Sequence, residues 1–331
     1  MGRTPFIFSI NGVILVAVII PANFPNVGLK HGKDPQLYNR PVTFKNRLPV
    51  RHSHIGGTME FGITLPRNYV PDRAMPLSYF TEVARQCERL GCTYCVVGDR
   101  LESGMDPFIA LSAVAEASGH MRLVTSISIL PPRGVLVASN QYASLDVLSG
   151  GRVIAGVGPG STFRDYEVVG MDPSEMWPRF EEGVIAMRSY LTGDSQPFKG
   201  KFYSTEGIDL TPKSFQGKGI PIWIGSWGSS VGLRRVARLA DGWLTPAGPG
   251  HQSPRQFAED VSQLNAFLVQ EGKDPSSFPN AVSTMAMFIS EDKEELANIG
   301  GPGYVPRPTG TGVTQPAERP FEEAHAHDMV G

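Results

Sequence analysis

Cysteine, net charge and long apolar runs are all scarce in this chain of 331 residues. Its three cysteines, Cys87, Cys92 and Cys95, are too few for a disulfide framework and suit a reducing compartment. A net charge of -2 provides no basic field, which excludes nucleic acid as a partner. The apolar run from Phe6 to Ile20 is short for a membrane span and is interrupted by Ser9, Asn11 and Gly12. Arg3 is its only basic flank and no small-residue cleavage site follows it. The expectation is a cytoplasmic protein with no membrane partner, with an export signal at 6–20 as the alternative.

Cys92 and Cys95 have the spacing of half a zinc or redox motif. They lie in an apolar run expected to be a strand, where residues three apart point to opposite faces. Buried structural thiols are therefore expected, and no metal site.

The chain is 41% hydrophobic and 19% charged, enough to bury one large barrel-type domain or two smaller ones. Its most constraining stretch is Asn140 to Ser161, NQYASLDVLSGGRVIAGVGPGS. Tyr142, Leu145, Val147 and Leu148 give a helix end that Gly150 and Gly151 close. Val153 to Val157 fits a buried strand, running into Gly156, Gly158 and Gly160, where no side chain keeps a ligand off the backbone. Helix, tight turn, strand and glycine-rich strand end make one unit of a parallel α/β protein, with its site at the strand's C-terminal end.

The same unit recurs from Met59 onward. Strands are expected at 60–65, 93–98, 122–130, 153–157, 220–225, 241–245 and 281–289, with helices between them at the spacing of Phe80, Val83, Ala84 and Cys87. Asp106 and Pro107 supply an N-cap and first-turn proline, and Pro131-Pro132 stops the third strand. The segment from Gly193 to Gly219 is too long for an ordinary barrel loop and is expected to lie over the site. Residues 1–58 read as an N-terminal extension rich in Pro, Asn and His after its apolar run, outside the barrel domain of 59–299. The alternative is that Val13 to Ile20 serves as a strand. Residues 300–331 form an irregular Gly/Pro-rich tail with no run for a buried strand and helix.

The strand ends at Asp99, at Thr125-Ser126-Ile127, at Gly156 to Gly160 and at Gly225 to Gly228, with ASLDVLSGGR between and LADGW at 239–243, resemble the luciferase-like flavin and deazaflavin oxidoreductases. The resemblance runs from about Met59 to Ile289. It implies an α/β fold of the TIM (β/α)8 type, here lacking its eighth strand and helix, and an enzyme that moves a hydride between reduced FMN or coenzyme F420 and a small organic substrate or oxygen.

In that family the cofactor ring rests against a bulge at the end of the third strand, often with a non-proline cis peptide, and the matching pair is Ser126-Ile127. The cofactor phosphate sits on glycine-rich backbone, matched by Gly158, Gly160, Ser161, Ser226 and Gly228, where amides, hydroxyls and a helix N-terminus suit an anion. The plain alternatives are a buried strand and two ordinary glycine turns. Many relatives carry His where Arg100 stands and some carry an acid where Ser161 stands. Asp99 and Arg100 are then the candidate catalytic pair, with Arg100 anchoring an anionic substrate or steadying negative charge on the ring; a solvated rim pair is the alternative. His251, after the sixth strand, is either a proton-transfer group or polar surface. A non-catalytic flavin-binding barrel and an inactive truncated fragment are the competing functional readings. A homodimer is an open expectation.

Overall fold

The structure is a computed structural model. It describes residues 60–65, 76–102, 104–192, 197–247 and 254–289, with the backbone alone at 13–21, 247, 254 and 284–289. Two units divide the chain, one of residues 1–18 and 43–285, the other of 19–42 and 286–331. Of the second, only the strand ends at 19–21 and 286–289 are described. His251 and the tail at 300–331 lie outside the described residues.

Strand and helix alternate through the first unit. Strand β1 is Val13–Pro21 and β2 is Glu60–Thr64; helix α1 (Leu77–Arg89) leads to β3 (Tyr94–Val97), and α2 (Pro107–Ala117) to β4 (Arg122–Thr125) and β5 (Ser128–Ile129). Helices α3 (Leu130–Arg133) and α4 (Val135–Ser149) precede β6 (Val153–Gly158), and α5 (Arg164–Glu167) and α6 (Met176–Leu191) precede β7 (Ile222–Gly225). The chain continues with α7 (Ser230–Leu239), β8 (Gly242–Ala247), α8 (Pro254–Gln270) and β9 (Asn280–Ile289).

Local chemistry sets these boundaries. Asp106 caps α2 by accepting from the amides of Phe108 at 2.9 Å and Ile109 at 3.2 Å, with Pro107 in the first turn. Helix α4 closes at Gly150, whose φ of 68° is left-handed, and Gly151 with φ 85° continues the turn into β6. Pro131 and Pro132 do end the third strand, and they do so by opening α3, where their fixed φ suits a first helical turn.

The strand order is β4-β3-β2-β1-β9-β8-β7-β6-β5, and β4 also pairs with β6, so the sheet curls into a nearly closed barrel of the TIM type. Among the described residues β9 is the last element, and no eighth strand and helix follow it. β1 lies parallel to β2 with Ile14 opposite Glu60 and Ala17 opposite Ile63, standing between β2 and β9.

Alternation along each strand sorts the side chains. Tyr94, Val96, Val124, Ile154, Trp223, Leu244 and Ala281 fill the barrel interior. Cys95, Val97, Leu123, Val153, Ala155, Val157, Ile222 and Ile224 face the helices. Cys87 and Cys92 join Cys95 in that outer layer, all three thiols free and buried. Burial raises the Cys95 thiol above its ordinary pKa, which keeps it protonated.

The excursion at 197–219 packs along two of the helices. Asp146, near the C-terminal end of α4, accepts from the amides of Phe215 at 2.8 Å and Gln216 at 3.2 Å. Glu182 on α6 accepts from the amides of Lys201, Phe202 and Tyr203. Backbone amides left unpaired by an irregular segment need acceptors, and two carboxylates on the helices provide them, so the excursion lies against α4 and α6.

Candidate active site

The third strand breaks where the sequence suggested one run. Val124 pairs with Ile154 and Ser128 with Val157, so one strand advances four residues while the other advances three. The extra residue makes a bulge at 125–127. The Ser126-Ile127 peptide within it is cis.

Glycine on the neighbouring strands makes room for the bulge. The interior face of β6 carries Ile154, Gly156 and Gly158, and that of β7 carries Trp223 and Gly225. A Cβ on Gly156 would stand 1.8 Å from the Thr125 carbonyl oxygen. One on Gly158 would stand 2.9 Å from Ile127 Cδ1, and one on Gly225 2.7 Å from Ile127 Cγ2. Three predicted features, the 126–127 bulge, the glycine loop and the end of β7, thus converge on the Ile127 side chain.

Hydrogen bonds hold the bulge on both flanks. The Ser126 amide donates to the Val97 carbonyl at 2.8 Å. Thr125 Oγ1 donates to the Gly156 carbonyl at 2.7 Å and lies 2.6 Å from the Tyr142 hydroxyl. Burial pushes the Tyr142 phenol above its ordinary pKa, so it stays neutral. On the other flank Asp99 accepts from the Ile129 amide at 3.1 Å and from Arg133 at 2.9 and 2.6 Å. Arg133 also reaches Asp106 at 2.8 Å.

The expected pair of Asp99 and Arg100 is therefore split. Asp99 turns inward to Arg133, whereas Arg100 donates to Ser161 Oγ at 3.0 Å and faces Asp165 Oδ2 at 3.6 Å. Thr162 Oγ1 donates to the same Asp165 oxygen at 2.9 Å. A carboxylate does stand beside the glycine loop, supplied four residues after Ser161. The sequence hid it inside the polar run from 162 to 177. Arg133 and Tyr142 carry no local signal either, the first following two prolines, the second reading as one apolar position of a helix.

Gly160, with φ 98°, and Gly228, with φ 94°, adopt left-handed backbone at the two loop turns. Ser226 is 4% exposed and its hydroxyl is buried without a hydrogen-bond partner, as is that of Thr64 at the end of β2. An unsatisfied buried hydroxyl costs about 1–3 kcal/mol, a cost that a polar ligand or water relieves. Ser229 then caps α7, accepting from the Gly232 amide at 3.1 Å. Orphaned hydroxyls, side-chain-free strand ends and a helix start fit a flat, phosphate-bearing cofactor. Among the described residues no group of three or more His, Cys, Asp or Glu could hold a metal, and no helix is long and apolar enough to cross a membrane.

A parallel barrel whose third strand bulges into glycine-lined strand ends defines the class of luciferase-like barrels. The family model for the luciferase-like monooxygenases matches residues 59–300, and the chain belongs to that family. It is similar to an uncharacterised protein of Mycobacterium tuberculosis, 29% identical over 204 residues that cover 61% of this chain and 69% of that one. A 5,10-methylenetetrahydromethanopterin reductase of Methanolobus tindarius is 25% identical over 237 residues, covering 71% and 67%. Among solved structures, monooxygenase RslO1 from Streptomyces bottropensis superposes with a TM-score of 0.65 at 23% identity, covering 73% of this chain and 75% of that one. A coenzyme F420 dependent tetrahydromethanopterin reductase from Methanopyrus kandleri gives 0.55 at 22%, covering 67% and 65%. The oxygenating constituent of 3,6-diketocamphane monooxygenase from Pseudomonas putida, in complex with FMN, gives 0.56 at 14%, covering 67% and 66%. At these identities the three structures speak for the fold.

Proposed function

We propose that this chain is an oxidoreductase that binds FMN or coenzyme F420 at the ends of β4 to β7 and moves a hydride between the reduced ring and an organic substrate or oxygen. The observation that carries the reading is the close packing of the Ser126-Ile127 bulge against glycine strand ends, with the Ile127 side chain seated where Gly158 and Gly225 carry no Cβ, together with the buried, unpartnered Ser226 hydroxyl on the loop after β7. The naming of F420 and FMN among the structural neighbours supports it. When bound, such a cofactor supplies the hydride chemistry itself.

The chain's own residues do the rest. The Ser126-Ile127 bulge supports one face of the ring, held by Asp99 and Arg133 on one side and by Thr125 and Tyr142 on the other. Backbone amides near Gly158 to Gly160 or Ser226 to Gly228 receive the phosphate without a lysine. Arg100, steadied by Asp165 and Ser161, stands at the edge of the glycine loop.

Titration of the purified protein with each cofactor, following flavin quenching and F420 emission, tests the reading. Saturable binding of one cofactor well below about 1 mM supports it. A folded protein that binds neither overturns it. Turnover by the loaded protein then separates an enzyme from a flavin-binding barrel without catalysis. A homodimer, also proposed, is read by sedimentation of the same preparation.

A further inference from the structure

The turn after β6 leaves three consecutive backbone amides open. Among the described residues the amides of Gly160, Ser161 and Thr162 donate to no acceptor, whereas those of Asp165, Tyr166 and Glu167 return to the carbonyls of Thr162 and Phe163. Consecutive amides without acceptors form the kind of concavity that anions occupy. Gly160, at φ 98°, is also where this arrangement is easiest to lose. Glycine accepts either hand of backbone, so the Pro159-Gly160 peptide plane can turn over at little cost, and turning it over reverses the Gly160 amide.

A buried hydroxyl holds that peptide. Tyr166 is fully buried, and its hydroxyl donates to the Pro159 carbonyl at 2.8 Å. The Pro159-Gly160 peptide is trans, so its N–H points opposite to its C=O. With the carbonyl fixed on Tyr166, the Gly160 amide faces away from the tyrosine. Tyr166 is itself fixed, its amide donating to the Phe163 carbonyl at 2.9 Å and its carbonyl accepting from the amides of Val169 at 3.2 Å and Met171 at 2.9 Å. Burial above all, then the nearby Tyr203 phenol and Asp165 carboxylate, push the Tyr166 phenol above its ordinary pKa, so it stays protonated and donates. The Asp165 carboxylate on the same turn is answered by Arg100 at 3.6 Å and by the Thr162 hydroxyl at 2.9 Å, which lowers its repulsion of an anion at the loop.

We infer that Tyr166 is a positioning residue for the cofactor phosphate: its hydroxyl locks the Pro159-Gly160 peptide so that the amides of Gly160, Ser161 and Thr162 stay open to an anion. The inference rests on the oxidoreductase reading and names what selects the phosphate-bearing form of the cofactor. Fully buried, Tyr166 acts through this peptide and leaves the seat of the ring at Ile127 alone.

The test compares ligands with and without the phosphate on the full chain, FMN against riboflavin and F420 against its phosphate-free deazaflavin core. Affinities are read from ligand emission, so turnover is not needed. The parent chain is expected to bind the phosphate-bearing member of one pair at least about tenfold more tightly than its counterpart. Tyr166→Phe keeps the buried ring and removes only the oxygen. It is expected to lose about tenfold for the phosphate-bearing ligand and to bind the phosphate-free one within about twofold of the parent. A merely structural role would weaken both alike. Equal losses for the two members, or an undiminished preference for the phosphate, overturn the inference, as does a parent that does not tell the members apart. A reading that needs no variant comes from nuclear magnetic resonance of the Gly160 amide, picked out among the chain's three Pro-Gly pairs by carbonyl-labelled proline and nitrogen-labelled glycine. Its signal is expected to shift with the phosphate-bearing ligand and to hold with the other. An amide that answers neither ligand overturns the inference, including the case in which Tyr166→Phe fails to fold. Failure of every ligand to bind the folded parent overturns the oxidoreductase reading, and the inference with it.

Discussion

Asp99 and Arg133 meet in a two-pronged ion pair, Oδ1 to Nη2 at 2.6 Å and Oδ2 to Nε at 2.9 Å, and the Ile129 amide donates to the same carboxylate at 3.1 Å. The Asp99 side chain is 1% exposed and that of Arg133 11%, so the pair works in a dry environment. This ties the end of β3 to the far side of the bulge, a positioning task.

Asp99→Ala is expected to destabilise the fold by about 3 kcal/mol, because it leaves a buried guanidinium with only Asp106. Denaturant unfolding measures the loss. Cofactor affinity should fall with it, since the Ile129 amide loses its acceptor. If stability is unchanged and only turnover falls, Asp99 acts in the chemistry and the positioning role is wrong.

Gly158→Val tests the cradle from the opposite wall. Its Cβ would stand 2.9 Å from Ile127 Cδ1, so Ile127 has to move toward the space assigned to the ring. Overpacking of this kind costs about 1–3 kcal/mol. Cofactor affinity should drop about tenfold or more, a loss of at least about 1.4 kcal/mol. Titration of the variant decides it, and unchanged affinity places the ring elsewhere. Gly160→Asp is a less direct probe of the phosphate, because a side chain there meets Ile129 and Asp165 and must adopt φ 98°.

The elements were legible in the sequence because their signals are local. Asp106-Pro107 marks a helix start, Gly150-Gly151 a helix end, and Phe80, Val83, Ala84 and Cys87 a buried helical face. The bulge has no such signal. VTSISIL reads as an even strand, and what breaks it is the missing Cβ of Gly156 on another strand. The site was legible in outline through its glycines, whereas the partners of Asp99 and Arg100 were not. Arg133 and Asp165 reach them only once β3, β5 and β6 lie side by side.

Asp146 shows the same limit and yields a prediction. It is fully buried inside the LDVLSGGR motif, and its carboxylate accepts from Ser214 Oγ at 2.9 Å, the amides of Phe215 and Gln216, and Gln216 Nε2 at 2.8 Å. Asp146→Ala strands these donors and is expected to cost about 3 kcal/mol or more. Proteolysis should then cut within 197–219 at lower protease concentration. Cofactor affinity should hold within about threefold, because Asp146 lies beside the start of β6, away from the strand ends. A large loss of affinity with an intact fold would place the excursion in the site.

A chain starting at Met59 tests the proposed domain division. The luciferase-like match begins at residue 59, and every residue assigned to the cofactor lies beyond it. We therefore expect the shortened chain to fold and to bind its cofactor within about threefold of the full chain. β1 nonetheless runs parallel to β2 over Ile14 to Ala17, and its removal leaves the backbone of β2 as an open edge beside β9. Each kcal/mol of that pairing is worth about 2–4 °C of melting temperature in a chain of this size. A lower melting temperature with retained binding is the expected result, read by circular dichroism. An unchanged melting temperature would show residues 1–58 to be an extension throughout, with no share in the barrel. Failure to fold would make β1 an integral strand, filling the place that the sequence leaves vacant beside β2, and the barrel domain would then have to be drawn from residue 13.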